Sequence, residues 1–160
     1  MNPTAASVDI GHVLPDLTLL DDQGADVALR ELTGQRTVLY FYPKDDTPGC
    51  TTQACAIRDS WSEFEPIEDV AVYGVSPDDA ASHAKFRSKL DLPFRLLVDD
   101  EHRLADALGF WVEKKNYGKA HWGVQRSTVI VGADGRVRAV ARNVKPDQHM
   151  DWLRTELGLA

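Results

Sequence analysis

Five consecutive apolar residues, Val38-Leu39-Tyr40-Phe41-Tyr42, constrain the fold of this chain more than any other segment. A run with no polar alternation reads as a strand covered on both faces, which is the centre of an α/β sheet. Pro43 ends it, because proline has no N–H to give to a neighbouring strand. After the polar Lys44-Asp45-Asp46, Thr47 and Pro48 form a helix start, with Thr47 as N-cap and Pro48 in the first helical position. Cys50, Ala54, Ile57, Trp61 and Phe64 then recur at spacings of four and three, as one apolar face of an amphipathic helix. Cys50 therefore sits in the first turn of a helix leaving the C-terminal end of a buried strand. Open α/β sheets bind ligands at that edge.

The position of Cys50 suits two roles. Free cysteines are often buried, and Cys50 lies on the apolar stripe. The unpaired N–H groups of a first turn and the helix dipole also favour a thiolate, which is the nucleophilic form. Cys55 lies five residues on, about 140° around the helix and about 7.5 Å along it, on the face of Arg58, Asp59 and Ser62. On an intact helix the two Cα atoms stand about 8.6 Å apart. A disulfide needs less than about 7 Å, so the pair bonds only if the first turns unwind. The spacing is not C-x-x-C, and two cysteines are too few for a structural zinc site.

The remaining segments alternate between strand and helix signals. Leu17–Leu20 and Asp26–Leu29 flank the hairpin turn Asp22-Gln23-Gly24, and Leu32-Thr33-Gly34 is a turn or short helix. Val70–Val75 and Pro93–Val98 read as strands, and Ser76-Pro77-Asp78-Asp79 starts a helix through Leu90. A short helix covers Glu101–Leu108. Ser127–Val131 and Val137–Val140 form a second hairpin, and Lys145-Pro146-Asp147 leads into a helix ending at Leu157-Gly158. Phe110–Trp122 has no clear periodicity and reads as a long loop made basic by Lys114, Lys115 and Lys119. Of Trp111 and Trp122, one is expected in the core. Residues 1–12 read as a loose tail. The whole chain, 1–160, reads as one α/β domain: a mixed central sheet flanked by helices, with an N-terminal hairpin.

The formal net charge of −7, without a long basic run, argues against nucleic acid and anionic membrane as partners. No apolar stretch approaches a membrane span of about 18 residues, and Met1–Asp9 lacks the features of a signal peptide, so a cytoplasmic location is expected. His12, His83, His102, His121 and His149 show no ligand spacing and read as surface or local structure, with no metal expected.

Pro43-x-x-x-Thr47-x-x-Cys50 matches the peroxiredoxin motif P-x-x-x-[TS]-x-x-C. The string FYPKDDTPGCTTQAC resembles the bacterioferritin-comigratory, or PrxQ, subfamily, as do Gly123–Thr128 and the order of elements. The resemblance implies a thioredoxin-like fold and a thiol peroxidase needing no cofactor. It implies that Cys50 attacks hydrogen peroxide or an organic hydroperoxide, with Thr47 and Arg126 as hydrogen-bonding partners and Pro43 shielding the sulfur. Cys55 would then resolve the sulfenic acid as a Cys50–Cys55 disulfide, recycled by thioredoxin or a similar dithiol, in a monomer. Residue by residue, plainer roles stand beside these: Thr47 as a helix cap, Pro43 as a strand stop, Arg126 as a surface cation. Tyr42 lines the pocket or the core. Gly49 lets substrate approach the backbone or merely loosens the helix start. Three other functions are open to such a chain: a thiol–disulfide oxidoreductase acting on proteins, a cysteine hydrolase pairing Cys50 with His121, and a non-enzymatic binding module. The spacing of the cysteines weighs against the first, the lack of a third orienting group against the second, and the intact motif against the third.

Overall fold

The computed structural model describes residues 8–67 and 69–159. In chain order the elements are β1 (Thr18–Asp21), β2 (Asp26–Ala28), β3 (Arg36–Phe41), α1 (Pro48–Asp59), β4 (Val70–Ser76), α2 (Ala80–Leu90), β5 (Arg95–Val98), α3 (Arg103–Leu108), β6 (Trp111–Asn116), β7 (Lys119–Val124), β8 (Ser127–Val131), β9 (Val137–Ala141) and α4 (His149–Leu157). Seven strands form one sheet in the order β2-β1-β5-β4-β3-β8-β9. β3, β4 and β5 run parallel, whereas β1 and β8 are antiparallel to their neighbours, so the sheet is mixed as expected. A hairpin occupies each edge, β1–β2 on one side and β8–β9 on the other.

The apolar run does what its composition requires. From Thr37 to Phe41, β3 is buried on both faces. Side chains alternate along a strand. Val38 and Tyr40 therefore pack with Ala54 and Ile57 of α1, Phe86 of α2 and Leu153 of α4. Leu39 and Phe41 face the other way, onto Leu104 and Leu108 of α3 and onto Phe110. None of the described helices is long and apolar enough to cross a membrane.

Three expectations are corrected. The helix carrying Cys50 stops at Asp59, and Trp61 lies on a following 3-10 turn, Trp61–Glu63. A 3-10 turn superposes residues three apart, and Trp61 and Phe64 stack at 5.2 Å. Arg154 of α4 holds this turn from outside, donating to Glu63 at 2.8 Å and to the Ser60 hydroxyl at 3.0 Å. Second, the supposed loop 110–122 is largely the β6–β7 hairpin. Its turn, Tyr117-Gly118, has φ of 52° and 78°, the pair of positive angles that suits a two-residue hairpin. Lys119–Trp122 is exposed throughout, so no buried face writes the period of two into the sequence. Trp111 packs against the core and stacks on His102 at 3.8 Å, while Trp122 is exposed. Third, the reading of residues 1–12 as a loose tail falls partly on residues 1–7, which lie outside the described residues; from Val8 onward the segment, though largely exposed, is tied to the fold at single points. Val8 is buried and donates to Leu108 O at 3.0 Å, and Val13 bridges to Arg136.

The sheet is tight behind the central strand. Gly74 lies opposite Tyr40, where a Cβ would stand 2.8 Å from Leu96 Cδ2 and 2.9 Å from the Tyr40 hydroxyl oxygen. Gly74→Ala is expected to remove about 1–3 kcal/mol of stability by overpacking. The urea unfolding midpoint should fall while the slope stays constant.

Candidate active site

The register of the sheet assembles the site. Phe41 pairs with Val75 of parallel β4 and with Ser127 of antiparallel β8. The C-terminal ends of β3 and β4 therefore meet the N-terminal end of β8. Tyr42 extends the ladder by one bond, donating to Val75 O at 3.0 Å, before Pro43 stops it. The loop 43–47 then turns into α1, and Arg126, one residue ahead of β8, lies beside it.

Cys50 is a free thiol in the first turn of α1 and is 2 % exposed. Arg126 Nη1 lies 3.5 Å from its sulfur and donates to Gln53 Oε1 at 2.8 Å. Helix geometry leaves the Cys50 N–H without an intrahelical acceptor, so it too is a donor at this point. A cation and an orphan N–H beside a desolvated sulfur stabilise negative charge there. Gly49 clears the way for the guanidinium. A Cβ at Gly49 would stand 3.1 Å from Arg126 Nη2 and 3.3 Å from Pro146 Cγ. The space above this glycine is thus occupied by Arg126 and Pro146.

Thr47 stands at the N-cap position with extended backbone angles. Its hydroxyl turns back to donate to Lys44 O at 2.8 Å instead of capping the helix. That commits the hydroxyl hydrogen and leaves the oxygen lone pairs as acceptors. Pro43 and Arg126 line an adjoining cleft of about 480 Å³ together with Lys114 and Asn143. The β6–β7 hairpin brings Lys114 there. Burial pulls its pKa down and repulsion from Arg126 adds to the effect, against an opposing pull from Cys50. Tyr42 does not reach this cleft. It is fully buried among Tyr40, His83 and Phe86, and its hydroxyl donates to Asp45 at 2.6 Å. Cys55 is partly exposed and sits within the intact α1, five positions from Cys50.

Two participants escaped the reading of the sequence. Gln53 Nε2 lies 3.0 Å from His149 Nδ1, and His149 Nε2 lies 2.8 Å from the Thr128 hydroxyl. Because Gln53 Oε1 accepts from Arg126, its amide nitrogen must donate to Nδ1, which puts the ring proton on Nε2. A continuous chain thus runs from Arg126 through Gln53 and His149 to Thr128 on β8. All three residues beyond Arg126 are buried. The reading of every histidine as surface or local structure is therefore corrected for His149 and also for His83, which are 1 % and 0 % exposed. A signal was present. Gln53 falls three residues after Cys50, and His149 four before Leu153, each on an apolar stripe. A polar residue in such a place is a buried, hydrogen-bonded one.

Burial, and secondarily the charge of Arg126, lower the pKa of His149 to about 3. The folded protein keeps this ring neutral, while an unfolded chain protonates it below about 6.5. Stability should therefore be lost as pH falls from about 6.5 toward 3. In urea titrations between pH 5 and 6, His149→Gln is expected to flatten this dependence by about 1.4 kcal/mol per pH unit, the contribution of one proton.

The AhpC/TSA family profile matches residues 10–140. The chain is 49% identical over 144 residues to peroxiredoxin Bcp of Bacillus subtilis, covering 90% of this chain and 91% of that one. It is 38% identical over 158 residues to peroxiredoxin Bcp of Escherichia coli, covering 96% and 98%. A solved structure of the Xanthomonas campestris bacterioferritin comigratory protein, described for its alkyl peroxide reduction activity, matches with a TM-score of 0.86 at 35% identity. That match covers 94% of this chain and 98% of the other. The fold is thioredoxin-like, and the chain belongs to the AhpC/TSA family, among the Bcp/PrxQ peroxiredoxins.

Proposed function

We propose that Cys50 is the residue oxidised by peroxide in this peroxidase, with Thr47, Arg126 and Pro43 forming the site around it and Cys55 resolving the product. The observation that carries the reading is the guanidinium of Arg126 at 3.5 Å from a buried sulfur in the first turn of a helix. The Cys50 thiolate attacks the distal oxygen of a hydroperoxide in line with the O–O bond. That bond breaks, its electron pair leaves on the alkoxide or hydroxide, and a proton completes the alcohol or water. Sulfur is oxidised to a sulfenic acid. Negative charge spreads over sulfur and both oxygens in the transition state, where Arg126 and the Cys50 N–H donate to it. Thr47, its own hydrogen given to Lys44 O, accepts the hydrogen of the peroxide and so orients it. Pro43, half-buried at the mouth, limits water.

Cys55 then attacks the sulfenic sulfur, expelling water and leaving a Cys50–Cys55 disulfide. With about 8.6 Å between the Cα atoms on an intact helix, this step requires the start of α1 to unwind. An external dithiol, thioredoxin in this reading, returns two electrons and two protons. Hydrogen peroxide and organic hydroperoxides are the substrates, and a monomer in the reducing cytoplasm is the setting in which two free thiols persist. Direct exchange with protein disulfides is disfavoured, because the attacking sulfur is almost wholly enclosed.

Cys55→Ser is expected to keep one turnover with peroxide and to lose thioredoxin-driven cycling, read by stopped-flow fluorescence and by NADPH consumption. Undiminished steady turnover would show that Cys55 is not the resolving residue. Arg126→Gln should slow the first step by about a hundredfold or more, the usual effect of losing one preorganised donor.

A further inference from the structure

His83 of α2 is completely enclosed, yet both its ring nitrogens face acceptors. Nε2 lies 2.8 Å from Leu97 O, and Nδ1 lies 2.8 Å from Asp45 Oδ2. A carbonyl oxygen only accepts, so Nε2 carries a proton. Asp45 already receives the Tyr42 hydroxyl at 2.6 Å on one oxygen and the Ser82 hydroxyl at 2.8 Å on the other. Both oxygens of Asp45 thus already hold a donor, and this geometry favours a proton on Nδ1 as well. His83 is thus an imidazolium paired with a carboxylate in the interior. These atoms and Asp78 lie within 4.8 Å of one another, but the hydrogen bonds engage both His83 nitrogens and both Asp45 oxygens, and no ion is called for.

Asp45 sits midway between Pro43 and Thr47. Its own N–H donates to Asp78 Oδ2 at 2.8 Å, and the carbonyl that receives the Thr47 hydroxyl belongs to Lys44, the residue before it. We infer that His83 is a positioning residue for peroxide attack: it holds Asp45, and through Asp45 the Pro43–Thr47 segment, in the arrangement that presents the Thr47 oxygen to the substrate. The inference rests on the proposed role of Thr47 as the acceptor for peroxide.

Burial alone would pull the pKa of His83 down, but the hydrogen bond and charge of Asp45 outweigh it and raise it above the ordinary 6.5. The charged and titratable groups facing the ring are Asp45 from the loop after β3, Asp78 from the loop after β4 and Tyr42 beneath it, while Asp79 at the start of α2 turns its carboxylate to Ser82 N. β5 offers only the Leu97 carbonyl, and Lys44, Asp46, Lys85 and Lys89 stand farther out around a cleft shared with Asp45. The pair is intact below 6.5 and is lost as pH rises through the raised value. Peroxide attack should then weaken on the alkaline side.

The test compares wild type, His83→Gln and Thr47→Val as full-length chains. Two rates are followed from pH 5.5 to 9.5: oxidation of Cys50 by hydrogen peroxide, and its alkylation by iodoacetate, which at these pH values has no N–H or O–H for Thr47 to accept. His83→Gln is expected to lower the peroxide rate about tenfold at pH 7, to change alkylation less than twofold, and to lack the alkaline decline of wild type. Equal loss of both rates, or an alkaline decline retained by the variant, would overturn the inference. So would a normal peroxide rate in His83→Gln beside a slow Thr47→Val, and that result leaves the reading of Thr47 standing. A normal rate in Thr47→Val would overturn that reading and this inference together. If His83→Gln does not fold, 15N spectra of the wild-type imidazole at pH 7 decide: two protonated ring nitrogens support the inference, and a single neutral tautomer overturns it.

Discussion

The Arg126 guanidinium is partly enclosed beside a buried sulfur, and its need for acceptors organises the site. Cys50 Sγ and Gln53 Oε1 supply them, one helical turn apart on the same face of α1. Gln53 is answered by His149 from α4, and His149 by Thr128 from β8. One cation thus ties together the strand it leads into, the helix that bears the thiol and the C-terminal helix. Each link is a buried polar group that would cost about 1–3 kcal/mol if left unpaired, so the members hold one another in a single arrangement. Both contacts come from Nη1, whose two hydrogens serve the sulfur and the amide oxygen together.

The same helix carries an opposing demand. Its middle is anchored: Ala54 and Ile57 are fully buried against the central strand. Its beginning is not. Pro48 is exposed, and Thr47, Gly49 and Thr51 are only half-covered. Cys50 is held at this thinly packed end, where local opening requires little apolar exposure beyond its own side chain. In the proposed cycle the sulfur to be oxidised thus stands on the part of α1 best able to open, and Cys55 on the part that stays.

Two enclosed histidines stand on either side of the central strand's end with pKa values shifted in opposite directions. His149 is surrounded by a cation and neutral donors and stays neutral. His83 faces a carboxylate and a carbonyl, and its pKa is raised above the ordinary value. Desolvation pushes both toward neutrality; for His83 the hydrogen bond and charge of Asp45, joined by the Leu97 carbonyl and Asp78, outweigh it. The loop between Pro43 and Thr47 is thereby gripped by an ion pair, while the guanidinium across from it is gripped by a neutral chain.

How much of this was legible in the sequence follows from the range of the forces involved. The buried strand, the proline stop, the helix start and the distance between the cysteines are local matters, written in spacing and side-chain chemistry, and the motif around Cys50 added its partners by resemblance. Gln53 and His149 were marked only as polar residues on apolar stripes, and nothing local said that they meet 96 positions apart. The β6–β7 hairpin left no trace because both its faces are largely wet. Tyr42 read as adjacent to the site but is held in the core, where it stacks on Tyr40 and its hydroxyl is taken by Asp45. What the amino-acid order determined alone was where the Cys50 sulfur would sit and why the Cys55 thiol stands off from it. Which groups surround that sulfur, and which of them are charged, was decided only when the antiparallel pairing of β3 with β8 brought distant polar side chains into one dry space, where each had to find the other.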